Sequence, residues 1–201
     1  MSGQAEVEAV LEPYVGALRQ IVLEAWAQWM ASDKPARWLM KRSRASFVWE
    51  EMIEAAHRLL GSDPRVTIIR KHETFYFVLD GRFAFRFKHC DQDGFTSNYP
   101  TQAALDFHDQ AEGLSGIPTA LKFEVGYVLN PTETAVADIR VVARRGSVVD
   151  WQFSILNRGE AATPVTALPI APTPAAPPVA SRKPLVRVKS RAAEEKQSEK
   201  S

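Results

Sequence analysis

The segment Phe75–Lys88, which reads FYFVLDGRFAFRFK, constrains the fold more than any other part of the chain. Two runs of alternating apolar residues flank Asp80-Gly81, and such a pair is the strongest short-range signal for a β-hairpin with a two-residue turn. Glycine supplies the positive φ of a type I′ turn, and aspartate tolerates it. The segment predicts an antiparallel core in which Leu79 is paired with Arg82.

This register assigns the hairpin side chains to two faces, because side chains alternate along a strand. The first face is almost wholly apolar, and we expect it to pack on the core. Its members are Thr74, Tyr76, Val78, Phe83, Phe85 and Phe87. The second face mixes apolar side chains with cations. Its members are Phe75, Phe77, Leu79, Arg82, Ala84, Arg86 and Lys88.

Two helices are predicted before the hairpin, since apolar residues recur there at steps of three and four. Pro13 suits the first turn of a helix over 13–31, and Pro35 suits the first turn of a second helix over 35–60. Gly61 favours a helix end. The short connection predicts that the two helices are antiparallel neighbours.

The predicted fold class is α+β, in a single domain over residues 4–158. A five- or six-stranded, mainly antiparallel sheet spans residues 65–156, with the helices on one of its faces. Alternating apolar segments and turn residues predict the remaining elements. These are a strand over 65–70, a short helix over 100–112, and strands over 121–129, 136–143 and 148–156.

The last forty residues have a different composition from the rest of the chain. Seven of the 13 prolines fall between residues 161 and 184, so we predict an extended Pro/Ala-rich linker over 159–184. Residues 185–201 are polar and charged, which predicts a disordered tail. The chain has a net charge of +1, but residues 181–201 hold seven cations and three anions, which leaves −3 for the rest. A domain of that charge is not an obvious nucleic-acid binder.

Location is predicted from features that the sequence lacks. The single cysteine, Cys90, excludes an internal disulfide and is compatible with a reducing compartment. The N-terminal segment has no basic start followed by an apolar block, so we expect no signal peptide. No apolar run approaches the ~18 residues that span a bilayer. We therefore expect a soluble cytoplasmic protein without a membrane partner.

The loop from His89 to Tyr99 is the best candidate for a site, because it places many polar side chains beside a cationic strand. The alternative is an ordinary surface connection whose Asp and Asn residues cap turns. The spacing matches no metal motif, and we expect no metal and no cofactor. The candidate ligand or nucleic-acid residues are Arg82, Arg86, Lys88, His89, Asp91, Asp93 and Tyr99.

The predicted second face of the hairpin suggests a single-strand or RNA platform, in which Phe75 and Phe77 stack on bases and neighbouring cations hold phosphates. The alternative is that these two rings lie beneath the short helix and leave only the cationic tips in solvent. Lys41, Arg42 and Arg44 form a second basic cluster, which we interpret as a solvated helix face.

A longer pattern covers roughly residues 80–156. The string FRFKHCDQDGFTSNYPTQAALDFHDQ is followed by GIP, by VGYVL and by VVDWQFSI. It resembles a family of uncharacterised bacterial proteins found near phage-repressor-type regulators that carry a metallopeptidase domain. The resemblance implies a partner role in a toxin–antitoxin or prophage system and brings no catalytic residues. The matching positions are Asn98, Pro100, Thr101, Gly126, Tyr127 and Trp151.

Three functions remain open at this point. The first is a protein–protein interaction or regulatory component with a protein partner. The second is a small nucleic-acid-binding or RNA-cleaving protein that uses Arg82, Arg86, Lys88 and His89. The third is a metal-dependent enzyme at the His89–Asp93 loop. No catalytic motif is recognised, and the oligomeric state is left open.

Overall fold

The computed structural model describes residues 3–38, 40–71, 73–96, 102–111, 113–114, 117 and 120–158. The predicted linker over 159–184 and the predicted tail over 185–201 lie outside the described residues. No helix within these described ranges is both long enough and apolar enough to cross a membrane.

The N-terminal part of the chain is helical. Pro13 lies in a 3-10 turn between the first two helices, so the helix predicted over 13–31 begins after this turn, at Val15. The predicted helix over 35–60 is interrupted, because Trp38 and Met40 are extended. The indole of Trp38 packs against Trp29 and Phe47 at this break. The helices are α1 (Gly3–Leu11), α2 (Val15–Ala31), α3 (Lys34–Arg37) and α4 (Lys41–Leu60).

A six-stranded sheet follows, in which the strands lie in chain order. Four of the five strand pairs are antiparallel, and β3 and β4 are parallel. Parallel neighbours need a long crossover, and α5 (Gln102–His108) lies in it. The α+β class and the mainly antiparallel sheet are confirmed. The strands are β1 (Val66–Lys71), β2 (Thr74–Leu79), β3 (Phe83–Cys90), β4 (Leu121–Leu129), β5 (Val136–Arg145) and β6 (Val148–Ser154).

The hairpin forms, but its predicted register is wrong by one residue. Asp80 and Gly81 have φ angles of 52° and 63°, and Arg82 N donates to Leu79 O at 3.0 Å, which closes the expected turn. Leu79 is nevertheless paired with Phe83, so Arg82 is an extra residue in the hairpin. A shift of one residue exchanges the two faces of β2 relative to β3.

The corrected register gathers the phenylalanines of both strands on one face, and α1, α2 and α4 cover that face. Phe75 and Phe77 therefore lie beneath α4 and not in a cationic platform. The fully or nearly buried sheet residues of this core include Phe77, Leu79, Phe83, Phe85, Phe87, Phe123, Val125 and Tyr127.

The opposite face of the sheet is covered by α5, so the expectation that all helices share one face is wrong. The ring of Phe107 on α5 stacks on Tyr76, with centroids 5.5 Å apart. A second, smaller apolar cluster on this side contains Val78, Ala84 and Ala120. Strands β3 and β4 are parallel neighbours, so the chain between them must cross over one face of the sheet, and α5 lies in that crossover.

Candidate functional site

Arg86, which was predicted to contact a ligand, lies in a buried ion pair. Arg86 and Glu124 are direct neighbours on β3 and β4, and both are almost fully buried. Arg86 Nη2 and Nε donate to Glu124 Oε1 at 2.7 and 3.0 Å. The Phe107 ring lies over the guanidinium, with its centroid 4.0 Å from Cζ. Arg86 is therefore not available to phosphates.

His108 on α5 completes this buried cluster. Its Nε2 lies 3.3 Å from Arg86 Nη2 and from Glu124 Oε1. Burial alone would raise the pKa of Glu124, but the His108 contact and the Arg86 charge outweigh burial and lower it to about 2. Glu124 Oε2 is buried and has no hydrogen-bond partner among the described residues. The cluster joins α5 to the sheet through the contacts of His108 with Arg86 and Glu124.

The other four candidates are an exposed ion-paired arginine, a turn cap, an exposed carboxylate and a tyrosine outside the described residues. Arg82 is exposed, and its Nη2 lies 2.6 Å from Glu6 Oε2 on α1. Asp91 Oδ1 accepts hydrogen bonds from the backbone N–H groups of Asp93 and Phe95 at 3.0 and 2.8 Å. The interpretation of Asp91 as a turn cap is thereby confirmed, and the Asp93 side chain is exposed. Tyr99 lies outside the described residues.

Lys88 and His89 line a cleft between α4 and the sheet, although they are consecutive residues on β3. This cavity, called the α4 cleft below, has a volume of about 620 Å³. Within the described strands, β2 is paired with β3 at only three positions near the turn, so the two strands separate towards Thr74 and Lys88. The cleft lies at this opening.

The rim of the α4 cleft carries the basic cluster that was interpreted as a solvated helix face. Lys41, Arg42 and Arg44 occupy the first turn of α4 and line the cleft. Glu133, in the turn between β4 and β5, accepts from Lys41 Nζ at 2.7 Å and from Arg44 Nη2 at 2.8 Å. These hydrogen bonds lower the pKa of Glu133 to about 2. Arg42 is within ion-pair distance of no carboxylate in the described chain.

The wall of the cleft on the sheet side is formed by His89 and Tyr127, which are neighbours on β3 and β4. Their ring centroids are 5.0 Å apart. Tyr127 is 1% exposed, and its hydroxyl makes no hydrogen bond with any described residue. Burial raises the pKa of Tyr127. Burial and then the Arg44 charge lower the pKa of His89, which favours the neutral form of the imidazole.

Lys88 also lines the cleft, although alternation along β3 puts its side chain on the face of the sheet that carries Arg86. Burial and the neighbouring Arg86 charge lower the pKa of Lys88. No carboxylate of the described residues forms an ion pair with its ammonium group. The α4 cleft thus brings together two of the predicted site residues with three cations and a tyrosine that sequence reasoning had not grouped with them.

An apolar surface adjoins the cleft. Met30, Trp38 and Met40 are 48%, 42% and 65% exposed, and they line a hollow of about 320 Å³. This set is called the Trp38 patch below. Its hollow is also lined by Lys41 and Glu133, which line the α4 cleft as well. The patch and the cationic rim are therefore contiguous.

The described residues contain no group of three or more His, Cys, Asp or Glu side chains that could hold a metal ion. Comparisons of the chain with protein-family models, with curated proteins and with solved structures give no match. The resemblance to the bacterial family therefore stays a prediction, and the Trp38 patch and the α4 cleft are the features of the described chain that bear on function.

Proposed function

We propose that this protein is an interaction module that binds an acidic, partly apolar segment of a protein partner on the Trp38 patch and the adjoining cationic rim. The observation that carries the proposal is the contiguity of three exposed large apolar side chains with a rim of basic residues. Trp, Met and Arg are enriched in protein–protein interfaces, whereas Lys is not. This is the first of the three functions that the sequence left open.

The Trp38 patch has the character of an anchor site. The Trp38 indole is held by Trp29 and Phe47, with centroids 6.0 and 6.4 Å away, so its position is fixed before binding. A rigid aromatic side chain loses little conformational entropy when a partner covers it. Lys34 Nζ lies 4.4 Å from the Phe47 centroid, which adds a cation to the same surface.

The positive charge of the rim favours a partner segment that is acidic. Lys41 and Arg44 share one carboxylate, that of Glu133, so the local ion pairs leave a positive surplus. Arg42 adds to this surplus from the exposed side of the helix. Complementary charge favours a partner segment that carries Asp or Glu beside its apolar anchors. Such a segment also fits an otherwise unpartnered apolar surface.

The nucleic-acid function is less well supported. It required Arg86 beside Phe75 and Phe77 on one open face, but Arg86 is buried against Glu124 and the two rings face α4. The cations of the α4 rim remain suitable for phosphates, so oligonucleotides belong in the test. A role in a toxin–antitoxin or prophage system stays a prediction of the resemblance alone.

The test is selection of short random peptides displayed on phage against the full chain. We expect enrichment of peptides that combine Asp or Glu with Trp, Phe or Leu. Binding of a selected peptide, measured by fluorescence anisotropy, should fall about tenfold or more in Trp38→Ala and in Arg42→Glu, the size expected for interface anchors.

Matched controls lie at the β5–β6 turn, at the far end of β5 from Glu133. Val148→Ala removes an exposed apolar side chain, and Arg145→Glu reverses an exposed cation, so both should leave the affinity unchanged. The proposal is wrong if no acidic peptides are enriched, or if the patch variants bind them as the parent chain does. Tighter binding of labelled oligouridylate than of any peptide, lost in Arg42→Glu, would favour the nucleic-acid function instead.

A further inference from the structure

We infer that the α4 cleft is a second binding site. Its ligand is a small molecule in which a planar ring carries an oxyanion, either a carboxylate or a phosphate. This inference is independent of the protein partner, because it concerns the interior of the cleft and not the Trp38 patch. It is carried by a tyrosine hydroxyl that lines the cleft without a hydrogen-bond partner in the described chain, by the cations at one end of the cleft and by an aromatic wall at the other.

The cleft has the dimensions of a small-molecule site. Its volume of about 620 Å³ lies within the range of roughly 300–1,000 Å³ for ligand pockets. The fold produces the opening, since β1 holds β2 as far as Thr74 and β4 holds β3 as far as Cys90. Each strand is thus fixed by its outer neighbour while the two separate from each other. The site is therefore preformed.

The Tyr127 hydroxyl marks the polar end of the cleft. The residue is 1% exposed and lines the cleft, yet its hydroxyl has no hydrogen-bond partner among the described residues. A phenol hydroxyl in the wall of a cavity can donate one hydrogen bond to a bound molecule. An acceptor oxygen from a ligand would satisfy it. His89 lies against the same ring and offers a second polar contact.

The cations at this end favour a negatively charged acceptor. Arg44 is only 15% exposed and Glu133 holds it at the rim, where it raises the local positive potential. Helix α4 begins at Lys41 without a side-chain cap, so its positive end adds to the same field. A neutral acceptor would gain only the hydrogen bond from the Tyr127 hydroxyl. An oxyanion would gain that hydrogen bond and also the attraction of the positive charges.

The other end of the cleft suits a flat apolar group. Ala45, Trp49 and Met52 follow one another at steps of four and three along α4, so they share the helix face that lines the cleft. The Trp49 ring is fixed against Phe75, with centroids 6.1 Å apart. An aromatic ring can pack against this wall. The ligand would therefore lie along α4, with its oxyanion towards the first turn and its ring towards Trp49.

The experiment uses matched pairs of probes that differ in the oxyanion alone. Adenosine 5′-monophosphate is compared with adenosine, and 2-naphthoate with 2-naphthamide, by isothermal titration calorimetry on the full chain. We expect the anionic member of at least one pair to bind about tenfold tighter than its neutral twin, as a charge-assisted contact would give. The pair that shows this difference tells whether phosphate or carboxylate is preferred.

The variant Tyr127→Phe keeps the ring and its packing and removes only the hydroxyl. It should weaken the anionic probe about fivefold or more, because it removes one hydrogen bond to a charged group. Tyr76→Phe is the matched control, since Tyr76 is also a buried tyrosine but packs beneath α5 on the other face. Circular dichroism melts establish that both variants fold.

Three results would overturn the inference: no anionic probe binds, neutral and anionic twins bind equally, or Tyr127→Phe binds as tightly as Tyr76→Phe. Trp38→Ala separates this inference from the proposed function. That variant should lose the acidic peptide and keep the small anion, because Trp38 does not line the α4 cleft.

Discussion

Polar side chains are paired differently on the two faces of the sheet. Beneath α5, Arg86 and His108 are buried and contact each other and Glu124. On the α4 side, the Tyr127 hydroxyl has no partner in the described chain, and the cations of the rim outnumber their carboxylate. Strands β3 and β4 contribute residues to both regions, so the difference in polar pairing comes from the helix that covers each face.

This difference distinguishes polar groups that stabilise the fold from polar groups that are available to a ligand. The α5 side joins a short helix to the sheet, and Gln110 adds to this by hydrogen-bonding the backbone of Lys122 and the Arg144 carbonyl. Its charged side chains contact one another, so they serve packing. On the α4 side, the cations of the rim and the Tyr127 hydroxyl line a cavity, which is the combination expected of a binding site. Substitutions should therefore affect stability on the first side and affinity on the second.

The largest effect is expected from Glu124→Ala, which leaves the Arg86 guanidinium buried without its carboxylate. Breaking a buried ion pair by removing one partner costs about 3–5 kcal/mol. Urea unfolding followed by tryptophan fluorescence measures this loss. The double variant Arg86→Met with Glu124→Leu should lose much less, because apolar side chains replace both charges. Equal losses in the single and double variants would contradict the role given to the pair.

Acid should destabilise the protein through the same carboxylate. The pKa of Glu124 is lowered from 4.5 to about 2 in the folded chain, so its contribution is present above pH 4.5 and is lost as the pH falls towards 2. A shift of this size corresponds to about 3 kcal/mol. The free energy of unfolding, measured in urea between pH 6 and 2, should fall across this window.

The Arg86→Met, Glu124→Leu double variant provides the control for the acid titration. It lacks the titrating carboxylate, so its free energy of unfolding should depend less on pH between 4.5 and 2. An unchanged slope in the double variant would assign the acid loss to other carboxylates, such as the half-buried one of Glu133.

Much of the fold could be predicted from local patterns, but the hairpin register could not be read from the turn. Asp80-Gly81 is compatible with a two-residue connection and with the same turn followed by an extra residue. Packing decides between them, because the extra residue Arg82 brings Phe83 opposite Leu79. A usable signal was present in the sequence: this register alone places all the phenylalanines of both strands on one face.

The parallel pairing of β3 and β4 had a signal of a different kind. The chain between them contains α5 and is long enough for a crossover, which an antiparallel pair does not need. The site was harder to predict. Arg44, His89 and Tyr127 are about forty residues apart in the sequence and meet only because β3 and β4 are neighbours beneath α4. No local sequence pattern indicates that these three residues are close together in the fold.

The smallest effect is expected from substitution of Glu133, whose carboxylate forms ion pairs with Lys41 and Arg44 of the rim. Glu133 has a φ of 55°, a region that asparagine also tolerates, so Glu133→Asn removes the charge without new backbone strain. Its side chain is 31% exposed, and such ion pairs contribute at most about 1 kcal/mol to stability. The free energy of unfolding should therefore change little, while an acidic peptide selected on the Trp38 patch should bind roughly threefold tighter because Lys41 and Arg44 are released.

Glu133→Asp is the control for this change, because it keeps a carboxylate in the same backbone conformation and should leave the peptide affinity near that of the parent chain. Anisotropy titrations at low and high salt distinguish the outcomes, since a gain that comes from released cations disappears when salt screens them. If Glu133→Asn binds the peptide more weakly, Glu133 orders the two cations for the partner instead of competing with it. The α4 side would then resemble the α5 side, with its ion pairs serving to hold side chains in place.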